Sequence, residues 1–428
     1  MPESPRRAGM FRSLSGFNYR LWAGGALVSN IGTWMQRTAQ DWLVLTQLTH
    51  HHASAVGVVM SLQFGPMLLL LPLSGWAADR LDRRRMLLAT QAAMAALALG
   101  LGVLTIGGWV SLWQVYLFAL LLGCVTAFDS PVRQTFVAEL VGESDLSNAV
   151  ALNSTSFNAA RMIGPACAGV LIASIGTGWV FILNALSFVA VLGSLYCLRV
   201  GELHRKPLSA KGRDSLGEGF AYIRRRPDLA TIMLMVFLIG TFGLNFPIFI
   251  SAMSVSVFHA GASQYGLLSS MMALGTVAGA LLSARRGRPR ITLLLVCAAI
   301  FGLGLVLAAL MPGYWLFGLV LVFIGVAAQT FNTSAISLVQ LATDPALRGR
   351  VIAIFMAIAL GGTPLGAPIV GWVADVCGAR WSLAVGASAG LCAALVGLRY
   401  LYKHRHLRLS RVDGRLGYHM DAEPGLSR

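Results

Sequence analysis

Six side chains with usable chemistry share one stripe of an otherwise apolar stretch: Asn30, Thr33, Trp34, Arg37, Gln40 and Asp41. At about 100° per residue they fill an arc of about 120° of a helix, leaving the remaining surface apolar. In a membrane such a face turns toward the bundle interior or a water-filled cavity. Arg37 and Asp41 stand one turn apart, a spacing at which guanidinium and carboxylate can pair. Asp41 is the one carboxylate on a polar face within a first-half span, which makes it the candidate for carrying a coupling proton. It lies about 30 Å along the helix from Leu21, close to the outer boundary. An interfacial ion pair with Arg37 is therefore the alternative.

Arg161 is the deepest charge, about 18 Å into its own apolar stretch counted from Ala149. None of the 17 acidic residues falls in a span at that depth. Its guanidinium must use backbone carbonyls, water, a bent Asp41 or the substrate, or else snorkel toward Glu139 or Glu143. Asn30, Trp34, Arg37, Arg161 and Asn245 are the candidates for lining a substrate cavity. An anionic or acceptor-rich substrate would supply the counter-charge that Arg161 lacks. His50, His51 and His52 could bind metal or sense pH, but such a run is more often a solvated loop. The six cysteines show no metal-ligand spacing and read as small packing residues. No nucleotide-binding loop or catalytic cluster is present, so neither ATP, a cofactor nor an enzymatic reaction is expected.

These residues sit in a chain of 428 residues that is 56% hydrophobic and 12% charged, with mean hydropathy +0.71. That composition excludes an ordinary soluble domain. Twelve apolar stretches lie near 21–48, 54–77, 86–106, 111–131, 149–175, 179–198, 229–257, 264–284, 291–310, 315–338, 350–375 and 381–402. Each is long enough to cross a hydrocarbon core of about 30 Å. Of the 33 Lys and Arg, 30 lie in the two tails or in alternate gaps; only Arg380, Arg37 and Arg161 do not. This bias places both termini in the cytoplasm and the chain in the cytoplasmic (plasma) membrane. The net charge of +16 is thereby explained by topology, and nucleic acid is not expected as a partner. No cleavable signal peptide is visible in the first 20 residues.

The expected fold class is an all-α membrane protein, with twelve transmembrane helices in two six-helix bundles. Its expected parts are an N-terminal bundle (1–199), a cytoplasmic linker (200–228), a C-terminal bundle (229–402) and a cytoplasmic tail (403–428), the tail being disordered or lying on the membrane surface. The halves repeat. Ile31-Gly32-Thr33-Trp34 returns as Ile239-Gly240-Thr241-Phe242, and Ala53-Ser54-x-x-Gly57 as Ala262-Ser263-x-x-Gly266. Gly123, Gly164 and Gly169 return as Gly325, Gly366 and Gly371. Parallel repeats of this kind put a substrate site at their interface near the midplane.

The segment after span 2 reads Gly75-Trp-Ala-Ala-Asp79-Arg80-Leu-Asp82-Arg83-Arg84-Arg85. It resembles the G-x-x-x-D-R-x-G-R-R signature of the major facilitator superfamily, with Asp82 in place of the usual Gly. The resemblance covers the whole chain and implies a secondary transporter acting as a monomer on a small molecule, with protons and membrane lipid as its other partners. Gly75, Asp79, Arg80, Arg83, Arg84, Asp129 and Arg133 are the gating candidates on this reading. Gly75 would let span 2 approach span 11, Asp79 would face the span 11 N-terminus near Arg350, and Arg83 would pair with Asp129. In the second half Ser283 replaces the Asp.

A second pattern joins Phe128-Asp129-Ser130-Pro131-Val-Arg133-Gln134 to Arg161-Met-Ile-Gly164-Pro165-x-x-x-Gly169. It looks like the branch of the superfamily that holds enterobactin exporters and drug–proton antiporters. Gly164 and Pro165, gating candidates as well, also resemble the exporter motif that bends a cavity-lining helix, although its upstream glycines are missing; a purely structural proline is the alternative. The resemblance implies proton-coupled export of a small amphipathic or anionic molecule such as a drug, siderophore or secondary metabolite. Uptake by the same fold is the nearest rival, and a polytopic membrane enzyme is the rival from another class.

Overall fold

The structure is a computed structural model describing residues 11–142, 145–204, 216–285, 289–345, 347–404, 408–412 and 415–419. The first half holds α1 (Phe17–Trp42), α2 (Ala53–Leu69), α3 (Leu71–Arg80), α4 (Arg83–Ile106), α5 (Leu112–Leu140), α6 (Leu146–Ile175) and α7 (Thr177–Tyr196). The second holds α8 (Leu216–Arg225), α9 (Pro227–Leu238), α10 (Phe246–Ala252), α11 (Ala262–Ala284), α12 (Ile291–Leu310), α13 (Tyr314–Ala342), α14 (Arg348–Gly361), α15 (Thr363–Cys377) and α16 (Ala379–His404). Among the described residues, 10 helical segments are long and apolar enough to cross a membrane, and α2 with α3, bent by 57°, makes up to 11. The remaining long helix is α1, with 26 residues, whose polar stripe lowers its hydropathy. With it the spans expected from the sequence are all helical.

Helix ends follow local chemistry. Asp82 caps α4 by accepting from the Arg85 backbone N–H at 2.9 Å, which accounts for an Asp where the superfamily signature has Gly. Ser111 and Gln114 form a reciprocal capping box at the start of α5. Gly176 and Gly378 adopt φ +88° and +100° and end α6 and α15 at matching places in the two halves. Only glycine takes that left-handed position without strain.

By contact the chain forms two units that cut across the sequence halves. The first comprises Met1–Gly212, Pro247–Ala273 and Ala367–Ala379; the second comprises Arg213–Phe246, Leu274–Gly366 and Arg380–Arg428. In the first, Tyr19, Trp22, Phe136 and Phe188 form a buried core shared by α1, α5 and α7, and the Tyr19 hydroxyl donates to the Ala149 carbonyl at 2.8 Å. Between helices in lipid, close packing replaces hydrophobic driving force. Accordingly a Cβ on Gly25 would meet Ser194 Oγ at 2.8 Å and the Ala190 carbonyl at 2.9 Å. In the second unit, Phe301, Phe317 and Phe355 are buried, and Phe246 meets Phe301 edge-on at 6.1 Å.

Two connecting segments differ from the sequence reading. Part of the linker is helical: α8 packs on α14, with Glu218 paired to Arg350 and Gly219 facing Ile354. The tail, expected to be disordered or to lie on the membrane surface, carries an antiparallel hairpin of β1 (Arg408–Val412) and β2 (Arg415–His419). In its register Leu409 pairs with Tyr418 and Arg411 with Leu416.

Candidate functional site

Trp34 is the centre of a cluster in the first unit. Its indole meets two guanidiniums, with Arg37 Cζ 5.1 Å and Arg161 Cζ 5.5 Å from the ring centroid. Phe157 meets the indole edge-on at 5.8 Å, and Arg37 also lies 5.5 Å from the Phe64 ring. Gly164 allows this: a Cβ there would stand 2.6 Å from Trp34 Cβ. Arg161 sits halfway along α6 and forms no ion pair among the described residues. Glu139, one of its two snorkelling candidates, is held by Arg83 at 2.5 Å, and Glu143 lies outside the described residues. Arg37 Nε is buried without a hydrogen-bond partner. Contrary to the spacing argument, Arg37 forms no ion pair with Asp41. Its guanidinium lies against the Trp34 and Phe64 rings instead.

Asp41, 9% exposed, is reached by the Tyr265 hydroxyl at 3.5 Å. Tyr265 also stacks on Trp42 at 5.7 Å and 24°. The helix widens there into a π-helical segment, Leu43–Leu48, a local form frequent at functional sites. Around it, the ends of second-half helices pack on first-half helices inside the same unit. Ser270 Oγ donates to the Met162 carbonyl at 2.8 Å, close to Pro165, whose ring nitrogen leaves the Arg161 carbonyl without its usual donor. α6 runs through Pro165 as one α-helix. A Cβ on Gly57 would meet the Ala367 carbonyl at 2.5 Å, and one on Gly266 would strike that of Pro165. The Asp375 carboxylate accepts from the backbone N–H of Ala53 at 2.6 Å and of Ser54 at 3.0 Å. His52 Nδ1 is 3.8 Å from the same carboxylate, while His50 and His51 take left-handed turns at φ 50° and 77°.

Not all cavity candidates join the cluster. Asn30 accepts from Arg133 at 3.3 Å and belongs to a buried network around Asp129. Asp129 takes Thr90 at 2.8 Å, Gln91 at 2.7 Å and Arg133 Nε at 3.0 Å. Asn245 lies in the second unit, fully buried, where α9 passes through the π-helical turn Ile239–Gly243 before α10. Its amide donates to the Thr241 carbonyl at 2.8 Å and its Oδ1 has no partner.

The gating candidates need correction at two points. Arg83 pairs with Glu139, not Asp129, because Arg133, four residues on from Asp129 along α5, already satisfies that carboxylate. Gly75 makes no close approach: a Cβ there would meet nothing within 4 Å. Arg84 donates to the Leu195 and Tyr196 carbonyls at 2.8 and 3.2 Å, capping the end of α7. Arg80 lies 5.4 Å from the Trp76 ring. The Asp79 side chain lies outside the described residues.

The family profile described as transmembrane secretion effector matches residues 4–411. The chain belongs to that family. Its members here are major facilitator transporters, and the relatives share most of their length with it. The Staphyloferrin A transporter of Staphylococcus aureus is 26% identical over 90% of this chain and 96% of its own. Macrolide efflux protein A of Streptococcus pyogenes is 24% identical over 88% and 94%. The enterobactin exporter EntS of Salmonella typhimurium is 27% identical over 86% and 88%. Among solved structures, a bacterial homolog of the human lysosomal transporter Spinster, inward-facing and occupied, superposes with TM-score 0.71 at 14% identity, over 93% of this chain and 97% of that one. This secretion-effector member is thus a multi-pass membrane transporter of the major facilitator type. Phe64, Phe157, Tyr265 and Asp375 escaped the sequence reading, and Glu139 entered it only as a snorkelling partner for Arg161. Ala53-Ser54 was legible as part of the repeat, but not its contact with an acid 321 residues away.

Proposed function

We propose that this transporter exports an anionic or acceptor-rich small molecule from the cytoplasm, driven by the proton gradient. The observation that carries this reading is the pair Arg37 and Arg161, both set against Trp34 with no carboxylate paired to either. Insertion scales put a guanidinium at mid-membrane at about 2.5–3.5 kcal/mol. A desolvated cation–π contact returns about 2 kcal/mol, which leaves a deficit that a bound anion would offset. The flat indole beside the two cations favours a planar or aromatic acceptor over a bulky one. Siderophore transport, named for two relatives, is in keeping with such a substrate; the macrolide relative favours a larger lipophilic one.

Asp41 carries the coupling proton on this reading, with Tyr265 orienting its carboxylate. Protonation from the outer side and release inward would accompany one substrate moving out. The charge bias of the loops supports cytoplasmic termini.

Tryptophan-fluorescence titration of purified protein tests the substrate class. Citrate and 2,3-dihydroxybenzoate are expected to quench more strongly than tetraphenylphosphonium, and Arg161→Lys is expected to weaken the anions at least tenfold because an ammonium lacks the planar fork. Equal affinity in wild type and Arg161→Ala, or preference for the phosphonium, overturns the reading.

A further inference from the structure

Away from the Trp34 cluster, α1 and α7 leave a groove of about 360 Å³ on their membrane-facing flank, lined by Arg20, Leu21, Gly24, Val28, Ala190 and Ser194. Its volume falls within the roughly 300–1,000 Å³ of small-molecule sites. From Arg20 to Val28 the groove runs about 12 Å along α1. Its floor is deep because Gly24 has no side chain: a Cβ there would meet nothing within 4 Å. Val28 is 46% exposed, so the wall faces hydrocarbon.

One end of the groove is strongly cationic. Arg20 is exposed in the first turn of α1 and forms no ion pair among the described residues. Arg199 lies 4.4 Å from the ring of Phe17, which also lines the groove. Arg84 caps α7 through the carbonyls of Leu195 and Tyr196, directly after Ser194. Among the described residues one acid pairs with any of these three guanidiniums: Glu202, with Arg199 at 3.2 Å. A hydrocarbon slot ending in unneutralised guanidiniums at the helix termini matches one ligand chemistry: an acyl chain attached to a phosphate. Arginine binds phosphate by charge-assisted, forked hydrogen bonds.

We propose that this groove binds an anionic phospholipid, its chain along Gly24 and Val28 and its phosphate on Arg20 with Arg84 and Arg199. The occupant is a lipid of the leaflet that faces the chain termini, distinct from the transported molecule. Zwitterionic lipid would fill the slot but gain less from the cationic end, because its ammonium group partly cancels the phosphate.

Native mass spectrometry of the full chain, released from micelles doped with equal phosphatidylglycerol and phosphatidylethanolamine, tests this. Phosphatidylglycerol should be retained several-fold over phosphatidylethanolamine, and Arg20→Ala should remove that preference. Gly24→Leu fills the slot without touching the α1–α7 contact and should lower retention of both lipids several-fold, so the proposal does not hang on one variant. A diazirine-bearing phosphatidylglycerol should label peptides containing 21–28 or 190–194. Equal retention of the two lipids in wild type, unchanged retention in Gly24→Leu, or labelling confined to other helices overturns it.

Discussion

Among single residues, the structure separates charges that hold the fold from charges left for function. Arg83 and Glu139 are 15% and 11% exposed, and removing either leaves the other as an uncompensated charge. Arg83→Met or Glu139→Leu is expected to cost about 3 kcal/mol, and the double variant less than the sum by about 1–3 kcal/mol. Unfolding of the four proteins in one detergent checks this, strict additivity being the contrary result. Asp41 is different in kind, since its only described hydrogen bond is a long one from Tyr265. Asp41→Asn is expected to abolish accumulation of substrate against a gradient while downhill exchange persists. Proteoliposome flux with and without an imposed pH gradient decides it; full accumulation in the variant moves the coupling group elsewhere. The sequence made Arg37, Trp34 and Arg161 visible because polarity within an apolar stretch is rare. It could not show that Arg37 turns to rings rather than to Asp41. Helical spacing brings both groups within reach, and the choice depends on Phe64, a residue of another helix.

At the level of elements, the repeat turns out to be a packing rule. Gly57 of α2 meets Ala367 of α15, and Gly266 of α11 meets Pro165 of α6; Ala367 stands 202 positions after Pro165, as Gly371 does after Gly169. Two pseudo-equivalent helix crossings therefore close the same end of the first unit. Gly57→Leu must push the Ala367 carbonyl away, and is expected to lower transport at least tenfold. It should also speed impermeant-maleimide labelling of Ser54→Cys in a cysteine-free background. Gly65→Leu, where a Cβ meets nothing within 4 Å, serves as control and should do neither. The spans and the repeat were legible, because lipid imposes length and hydrophobicity on each segment separately. The crossings were not, since each joins residues some 100 or 300 positions apart. Asp129 shows the opposite lesson: its partner, Arg133, was four residues away on the same helix, and the local pair prevailed over the long-range one.

For the molecule as a whole, orientation and flux remain separate quantities. The distribution of Lys and Arg predicts that a protease added to inverted membrane vesicles removes a tag from either terminus, and that one added to intact spheroplasts removes neither. Inverted vesicles energised to pump protons inward are expected to take up the anionic substrate, and dissipating the pH gradient should stop it. Uptake by intact cells under the same gradient would reverse the assigned direction.

The carboxylate of Asp375 seated on the first two N–H groups of α2 gives the protein an internal inequality. Its counterpart in the other crossing, 202 positions earlier, is Ala173, which offers α11 nothing. A carboxylate bound to a helix N-terminus contributes about 0.5–2 kcal/mol. That contact by itself corresponds to up to about a factor of thirty in an equilibrium constant. The two crossings are thus held by different chemistry, a carboxylate on the α2 N-terminus in one and the Ser270 hydroxyl on the Met162 carbonyl in the other, so a pair that the repeat made alike is tied by unlike bonds.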